Sequence, residues 1–326
     1  MGMTRAVRIH RTGGPDVLTY EEVPLDPPGP GEVRIRQTAI GLNYIDTYHR
    51  TGLYPLPSLP AVLGREGAGV VEALGPGVTD LAVGDRVAYP MAAGAYAVER
   101  NIVAGLVIRL PDGISDRLAA ALMLKGLTAH YLVRRTHRVR EGETILVHAA
   151  AGGVGLIVCQ WARRLGATVI GTVGSEEKAA LARAHGCHHT ILYREEEFVA
   201  RVREITAGAG VPVVYDSVGR DTFLRSLDCL APLGMIVSFG QSSGAIAPFD
   251  IGMLSTKGSL FLTRPTLVTY IARREDLVAA SHELFDVVVS GGVRIEVRQT
   301  YALADATRAH ADLEARRTTG STVLLP

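Results

Sequence analysis

The stretch TILVHAAAGGVGLIVCQWARRLG, residues 144–166, decides the fold. It opens with a short apolar run rich in β-branched residues, passes through Ala150-Ala151-Gly152-Gly153-Val154-Gly155, and continues with helical periodicity over 154–165. A strand that turns sharply on glycines into a helix lets backbone N–H groups approach a pyrophosphate closely. The positive end of the helix dipole then holds that anion. A glycine pair alone would mark no more than a tight turn. Here the same alternation recurs downstream: strands over 168–172, 190–193, 212–217 and 235–239, with helices over 176–184, 195–206 and 221–231. Strands alternating with helices of this length predict a parallel sheet covered on both faces, the doubly wound nucleotide-binding architecture. Residues 259–263 would add one more strand.

Upstream the texture differs. Residues 5–9, 32–39, 67–74 and 86–89 read as strands between glycine and proline punctuation, predicting a partly open β-barrel to about residue 112. Two helices are expected to follow, over 115–124 with Ser115 as N-cap and over 126–135. After Pro265 come a helix over 270–290, a strand over 294–301, a helix over 305–316 and a last strand over 322–325. These pieces exceed what the nucleotide-binding sheet needs and are expected to return to the first domain. The expected division is 1–125 with 266–326 for the discontinuous barrel domain, and 126–265 for the Rossmann domain. The fold class is therefore α/β.

The cofactor can be narrowed further. Enzymes using NAD place a carboxylate at the end of the second strand to bind the ribose 2′-hydroxyl. This strand ends Gly171-Thr172-Val173-Gly174-Ser175, with no carboxylate to repel a 2′-phosphate. Ser175 can cap the next helix, and Lys178 can reach back from its first turn. That reading points to NADP(H). The competing reading keeps Lys178 in solvent and gives the ribose of NAD to Glu176 or Glu177, although acidic residues suit a helix N-terminus for dipole reasons alone.

Composition excludes several classes. The 326 residues are 47% hydrophobic and 21% charged with a net charge of +1, which offers no footprint for nucleic acid or an anionic membrane. No stretch reaches the roughly 18 apolar residues of a membrane helix, and no signal-peptide pattern is present. Cys159, Cys187 and Cys229 fit neither a disulfide framework nor a zinc knuckle. A cytoplasmic, reduced, cofactor-using enzyme is expected. Of 34 basic residues only Lys125, Lys178 and Lys257 are lysines, which directs attention to each of them.

Gly142-Glu143, Leu146, Ala150-Ala151-Gly152-Gly153, Gly155, Gln160 and Arg163 match the quinone oxidoreductase signature at its fixed positions. Gly64, Glu66, Gly69, Val71, Gly75, Gly77, Val78 and Gly84-Asp85-Arg86-Val87 resemble the medium-chain dehydrogenase/reductase superfamily. Residues 43–48, 125–128, 215–219 and 263–265 resemble the bacterial NADPH quinone oxidoreductases, the zeta-crystallin-like branch, and the likeness spans essentially the whole chain. The resemblance implies a GroES-like barrel, an active site in the cleft between it and the Rossmann domain, and a homodimer joined through the Rossmann sheets.

It further implies that NADP contacts fall on Asn43, Tyr44, Ile45, Asp46, Thr47 and Tyr48 beside the nicotinamide, and on Tyr131, Gly152, Gly153, Val154 and Gly155. They continue through Gly174, Ser175, Glu176, Glu177, Lys178, Tyr193, Ser217 and Val218. The last of them fall on Phe239, Gly240, Gln241, Ser242, Pro265, Thr266, Leu267 and Arg316. Ser175, Lys178, Tyr193 and Arg316 would converge on the 2′-phosphate. Asn43, Tyr48 and Tyr54 would line the substrate site, Tyr54 as a hydrogen-bond donor to a carbonyl oxygen, with no obligate acid–base residue assigned.

Zinc-dependent relatives carry Cys at the position of Asn43 and His at that of Arg65, and neither Asn nor Arg is a useful zinc ligand. No metal is expected. Without that Lewis acid, reduction of electron-poor acceptors such as quinones and conjugated enones is the fitting chemistry. An enone or enoyl-thioester reductase is the alternative, and an NADPH-binding RNA-binding or redox-sensing protein the alternative of another class.

Overall fold

In the computed structural model, which describes residues 2–326, Thr144–Val147 is a strand flanked by Thr168–Val173 on one side and Val211–Asp216 on the other. The full spatial order is His189–Leu192, Thr168–Val173, Thr144–Val147, Val211–Asp216, Leu230–Ser238 and Phe261–Thr263, all pairings parallel. The strands are near-continuous apolar runs because helices cover both faces. Leu146, Ile170, Ile191, Val214 and Ile236 form one core with Phe198, Phe223 and Leu227. The chain leaves the first strand in one direction and returns to its other side at Val211–Asp216, which makes that boundary the switch point of the sheet. This unit comprises residues 128–270 and 290–294.

The second unit contains residues up to 127 together with 271–289 and 295–326. Its axis is the 11-residue strand Glu32–Leu42, where Val33, Ile35, Gln37 and Ala39 alternate inward with the two-residue period of a pleated strand. That strand pairs with Glu66–Leu74, Glu99–Val103 and Ser321–Leu325, and the sheet continues to Arg86–Pro90 and Ile108–Arg109. Val297–Ala302 closes its other edge beside Ser321–Leu325. A smaller sheet orders Leu18–Leu25, Gly2–Ile9 and Ala61–Val62. At its inner end the axial strand delivers Asn43 to the N-terminus of helix α1, Tyr44–Thr51.

Two local expectations are corrected. Two helices are expected over 115–124 and 126–135, and they form one helix, α2, Asp116–Tyr131, continued by a single π-helical turn over Leu132–Thr136. Ser115 caps it as expected, its Oγ accepting from the Leu118 N–H at 3.3 Å. Gly126 is there for packing: a Cβ would lie 2.7 Å from both terminal methyls of Leu284 on helix Arg274–Val289. The helix expected over 221–231 shrinks to Phe223–Ser226 and a 3-10 turn Leu227–Cys229, and the next strand begins at Leu230. Pro232 accounts for this, since it restrains Ala231 to extended backbone and cannot continue a helix.

The remaining helices bearing on the site are α3, Gly153–Arg164, and α4, Glu176–Ala184. No helix among the described residues is long and apolar enough to cross a membrane.

Candidate functional site

All candidate residues of the nucleotide-binding unit beyond the first strand fall at one edge of the sheet. Gly174–Lys178 follow Thr168–Val173, Tyr193 follows His189–Leu192, and Ser217 and Val218 follow Val211–Asp216. Phe239–Ser242 follow Leu230–Ser238, and Pro265–Leu267 follow Phe261–Thr263. In a parallel sheet these are all carboxyl ends, the edge at which such folds bind ligands. The first strand contributes the glycine turn. Ala149 is held in the left-handed region at φ 52°, and Gly152 is the extended N-cap of α3. At Gly155 a Cβ would lie 2.4 Å from the Ala149 carbonyl oxygen, so only glycine lets α3 pack this closely on the turn.

At the end of the second strand Ser175 caps α4, its Oγ accepting the Lys178 N–H at 3.4 Å. Tyr193 joins this group: a Cβ on Gly174 would lie 3.0 Å from its hydroxyl oxygen. Glu176 faces the other way along the helix, toward Arg183 at 3.4 Å. Across the sheet Asp216 is fully buried and orders the turn after its strand by accepting the N–H groups of Val218 at 2.7 Å and Gly219 at 3.1 Å. The Arg264 guanidinium donates to the carbonyl oxygens of Ser238 and Gly240 and so fixes the loop of Phe239–Ser242. Tyr131 stacks on Tyr270 with ring centres 4.4 Å apart and planes 10° from parallel. Burial raises the Tyr131 phenol, which therefore stays neutral. Tyr270 was not among the expected residues, and its sequence neighbourhood carries no signal that would have named it.

In the barrel unit the site is built around the start of α1. Asn43 and Asp46 form a reciprocal capping box, with the Asn43 N–H donating to Asp46 Oδ2 at 2.9 Å. Asp46 is completely buried, so within residues 43–48 its carboxyl serves the helix cap. Behind it lies a chain of hydrogen bonds whose direction the chemistry dictates. Arg50 can only donate, so at 3.1 Å its guanidinium makes His310 Nδ1 an acceptor. Burial, reinforced by Arg50, pushes His310 down to about 3 and keeps the ring neutral. The ring proton therefore sits on Nε2 and is donated to the Tyr96 hydroxyl at 3.0 Å. Tyr96 in turn donates to Asp46 Oδ2 at 3.1 Å. Arg50 is anchored at its far side by a two-pronged bond to Glu314, 2.8 and 2.9 Å.

Asp46 thus receives donors but no adjacent cation, and its Oδ1 is buried without a partner among the described residues. Desolvation outweighs the donors and raises it to about 7.

A second buried carboxylate stands beside the first. Glu66 is fully buried and accepts Asn43 Nδ2 at 2.8 Å, Lys125 Nζ at 2.9 Å and the Leu124 N–H at 2.7 Å. The site's other wall is aromatic. Tyr48 and Tyr54 meet edge to face at 5.1 Å, and the Tyr54 N–H donates to the Tyr48 carbonyl oxygen at 3.0 Å. Arg65 donates to His49 Nε2 at 2.7 Å. His49, held neutral by burial and by Arg65, then turns its Nδ1–H to the Tyr54 carbonyl oxygen at 3.3 Å. Tyr44 donates to the Leu313 carbonyl oxygen, and Arg316 lies just beyond, at φ 58° after helix Ala306–Glu314.

Of this network the sequence pointed to Asn43, Asp46, Tyr48 and Tyr54. It did not assign Glu66, Lys125, Tyr96, Arg50 or His310. Two of them carried a signal, Glu66 as a residue of the superfamily pattern and Lys125 both within residues 125–128 and as one of three lysines. Among the described residues no three His, Cys, Asp or Glu side chains converge as a ligand set.

Comparison with known proteins places this geometry in context. The alcohol dehydrogenase GroES-like domain matches residues 29–141, and the zinc-binding dehydrogenase family matches residues 153–285. A quinone oxidoreductase of Pseudomonas aeruginosa is 56% identical over 325 residues, covering 99% of this chain and all of that protein. A 2-haloacrylate reductase of a Burkholderia species is 50% identical over 332 residues, covering 99% of each. The crystal structure of Escherichia coli quinone oxidoreductase complexed with NADPH superposes with a TM-score of 0.97 at 51% identity, covering 99% of this chain and 100% of that one.

The raised Asp46 carboxyl has a sign that can be tested. A carboxyl whose folded pKa lies above its unfolded value contributes stability below the unfolded value, and that contribution is lost as pH rises through the folded one. The stability of the wild type minus that of Asp46→Asn should therefore fall by up to about 1.4 kcal/mol per pH unit as pH rises toward 7, and level off by pH 8. Urea unfolding of both proteins at pH 6, 7 and 8 measures the difference. A difference that stays constant would show that Asp46 does not titrate there.

Proposed function

Because this chain belongs to the quinone oxidoreductase family of the medium-chain dehydrogenase/reductase superfamily, we propose that it reduces quinones with NADPH and without zinc. The observation that carries the cofactor choice is the end of the second strand. Ser175, Lys178 and Tyr193 gather there around Gly174, and no carboxylate takes the place that reads a ribose 2′-hydroxyl. The residues fit such a cofactor. The start of α3 carries glycine at 152, 153 and 155, where backbone N–H groups must approach a pyrophosphate, and all six strand ends open on one edge.

When bound, NADPH supplies a hydride equivalent at its nicotinamide. The chain's own residues would then act by positioning. Gly152 to Gly155 hold the pyrophosphate, and Ser175, Lys178, Tyr193 and Arg316 hold the 2′-phosphate. Tyr131 and residues 43–48 hold the nicotinamide, with the acceptor reduced in the interdomain cleft that the resemblance implies. Tyr48 and Tyr54 provide an aromatic wall against which a flat acceptor stacks. Zinc independence is supported by side-chain chemistry: Asn43 is bonded to Glu66, and Arg65 is a cation bonded to His49.

A second reading has its own observation. The 2-haloacrylate reductase relative is named for a substrate whose electron-poor bond is an alkene, so conjugated enones belong in the same assay. NADPH oxidation should be measured against a panel of quinones and enones, with and without a strong chelator. Quinone turnover unaffected by the chelator is expected. Turnover confined to enones would favour the second reading, and loss with the chelator would overturn zinc independence.

A homodimer is proposed through the strand Phe261–Thr263. It is the edge of the sheet, and Phe261, Leu262, Val268 and Ile251 expose 56%, 38%, 49% and 76% of their surfaces. An apolar exposed edge invites pairing with its mate. Light scattering at micromolar concentration should give twice the 34.7 kDa of one chain, and a monomer mass would end this proposal.

The cofactor assignment makes a sharper demand on Lys178. A charge-assisted hydrogen bond contributes about 1.5–3 kcal/mol, so Lys178→Ala should weaken NADPH roughly 10- to 150-fold and leave NADH nearly unchanged. The rate at saturating NADPH should fall much less than the affinity, because this end of the cofactor contributes uniform binding. Calorimetry with both cofactors decides. Equal losses for NADPH and NADH would mean that Lys178 holds the shared nucleotide or the fold.

A further inference from the structure

Lys125 is a basic side chain that the function above leaves unused. It is 6% exposed, in a chain with only two other lysines, and its Nζ lies 2.9 Å from Glu66 Oε1. The same oxygen accepts Asn43 Nδ2 at 2.8 Å, so the ammonium and the Asn43 amide sit side by side. Glu66 Oε2 is taken by the Leu124 N–H, and the carboxylate is completely buried. An ammonium has three N–H donors. Glu66 takes one, and among the described residues no second acceptor lies within hydrogen-bond distance of the Lys125 Nζ. A counter-charge for Glu66 would need only that single contact. A buried cation that retains unused donors is instead suited to an oxygen that arrives with the substrate.

We infer that Lys125 is a catalytic residue, whose ammonium donates a hydrogen bond, and then its proton, to the acceptor oxygen that becomes negative on reduction. This rests on the reading above that Asn43 lies beside the nicotinamide. The balance closes. A hydride, two electrons and one proton, passes from the dihydronicotinamide to one quinone oxygen, both carbon–oxygen π bonds become single bonds as the ring turns aromatic, and charge collects on the other oxygen as a phenolate. A Lys125 N–H bond breaks and an O–H bond forms on that oxygen. The resulting amine regains a proton from water, so quinone, NADPH and one proton give hydroquinone and NADP+. For an enone the same lysine would meet the enolate oxygen. The Glu66 carboxylate holds the ammonium in place and lies on its other side, with Asn43 and Leu124 occupying the carboxylate's remaining contacts.

The test uses the enzyme loaded with NADP+ and 4-nitrophenol as a probe, because its phenolate mimics the anion and absorbs visibly. The wild type is expected to bind the coloured phenolate near neutral pH. No binding, or binding as the colourless phenol, overturns the inference without recourse to any variant. Lys125→Met should weaken phenolate binding at least about tenfold and lower kcat roughly 10²- to 10³-fold, the usual effect of removing one oxyanion donor. Its dissociation constant for NADPH should stay within about threefold, since the missing contact is to the acceptor. Lys125→Arg, which keeps the charge, should retain phenolate binding.

If Lys125→Met keeps both its rate and its phenolate affinity, the lysine is only the counter-charge of Glu66. Asn43→Ala, assayed in parallel, separates the two levels of the argument. A slow Asn43 variant beside a fast Lys125 variant sinks this inference alone. Full rate in both also removes the placement of the nicotinamide at Asn43.

Discussion

A carboxylate with no exposure to water organises the barrel unit. Glu66 lies in the strand Glu66–Leu74, and its two oxygens gather donors from Asn43 at the start of α1 and from Leu124 and Lys125 on α2. An ionised group removed from solvent is tolerated only when it is paired and its lone pairs are filled. Here the requirement joins a strand and two helices that are far apart in sequence. Removing one partner of such a pair typically costs about 3–5 kcal/mol, because the other charge stays buried. The backbone must also make room. A Cβ on Gly41 would lie 2.2 Å from both Glu66 Oε1 and the Ala120 carbonyl oxygen, so the axial strand, the carboxylate and α2 can meet only over glycine.

Asp46, a few residues from Asn43, shows the opposite arrangement. It too is buried and hydrogen-bonded, but its donors are an amide and a phenol, and from the phenol a chain of bonds runs through His310 to Arg50. The Arg50 charge is already answered by Glu314. Desolvation prevails at Asp46, and Glu66 forms an ion pair with Lys125. The same chain of bonds fixes the tautomer of His310 and orients Asp46, which caps α1. Residues 43–48 are in this way held from behind, and Arg65, through His49, secures the Tyr54 loop. Both devices set side-chain geometry before any ligand arrives, which is the condition for catalysis by positioning.

The nucleotide-binding sheet was legible in the sequence because its signals are local. The glycine turn, the strand before it, the Gly174-Ser175 ending and the repeated strand–helix alternation each occupy a few adjacent residues. Where local signals misled, a long-range contact or a proline had overridden them. The helices expected over 115–124 and 126–135 are one through Gly126, whose packing partner is Leu284. The helix expected over 221–231 gave way before Pro232, with Leu230 drawn into the core. The polar network behind α1 was not legible at all. Its partners are separated by 260 residues for Arg50 and His310 and by 214 for Tyr96 and His310. Nothing in the helix Ala306–Glu314 distinguishes His310 from a solvated histidine until the fold buries it.

In the proposed function the nucleotide end and the reducing end are chemically separate: phosphates at strand termini, and the acceptor beside a buried carboxylate. Glu66→Gln keeps the size and an acceptor for the Leu124 N–H but removes the charge that holds Lys125. Its kcat and its dissociation constant for NADPH, measured together, show whether the Glu66–Lys125 pair acts on the acceptor. A fall in kcat on the order of 10²-fold with NADPH affinity within about threefold of wild type is the result expected of a lost transition-state interaction. An unchanged kcat, or a loss of NADPH affinity as large as the loss of rate, would contradict it.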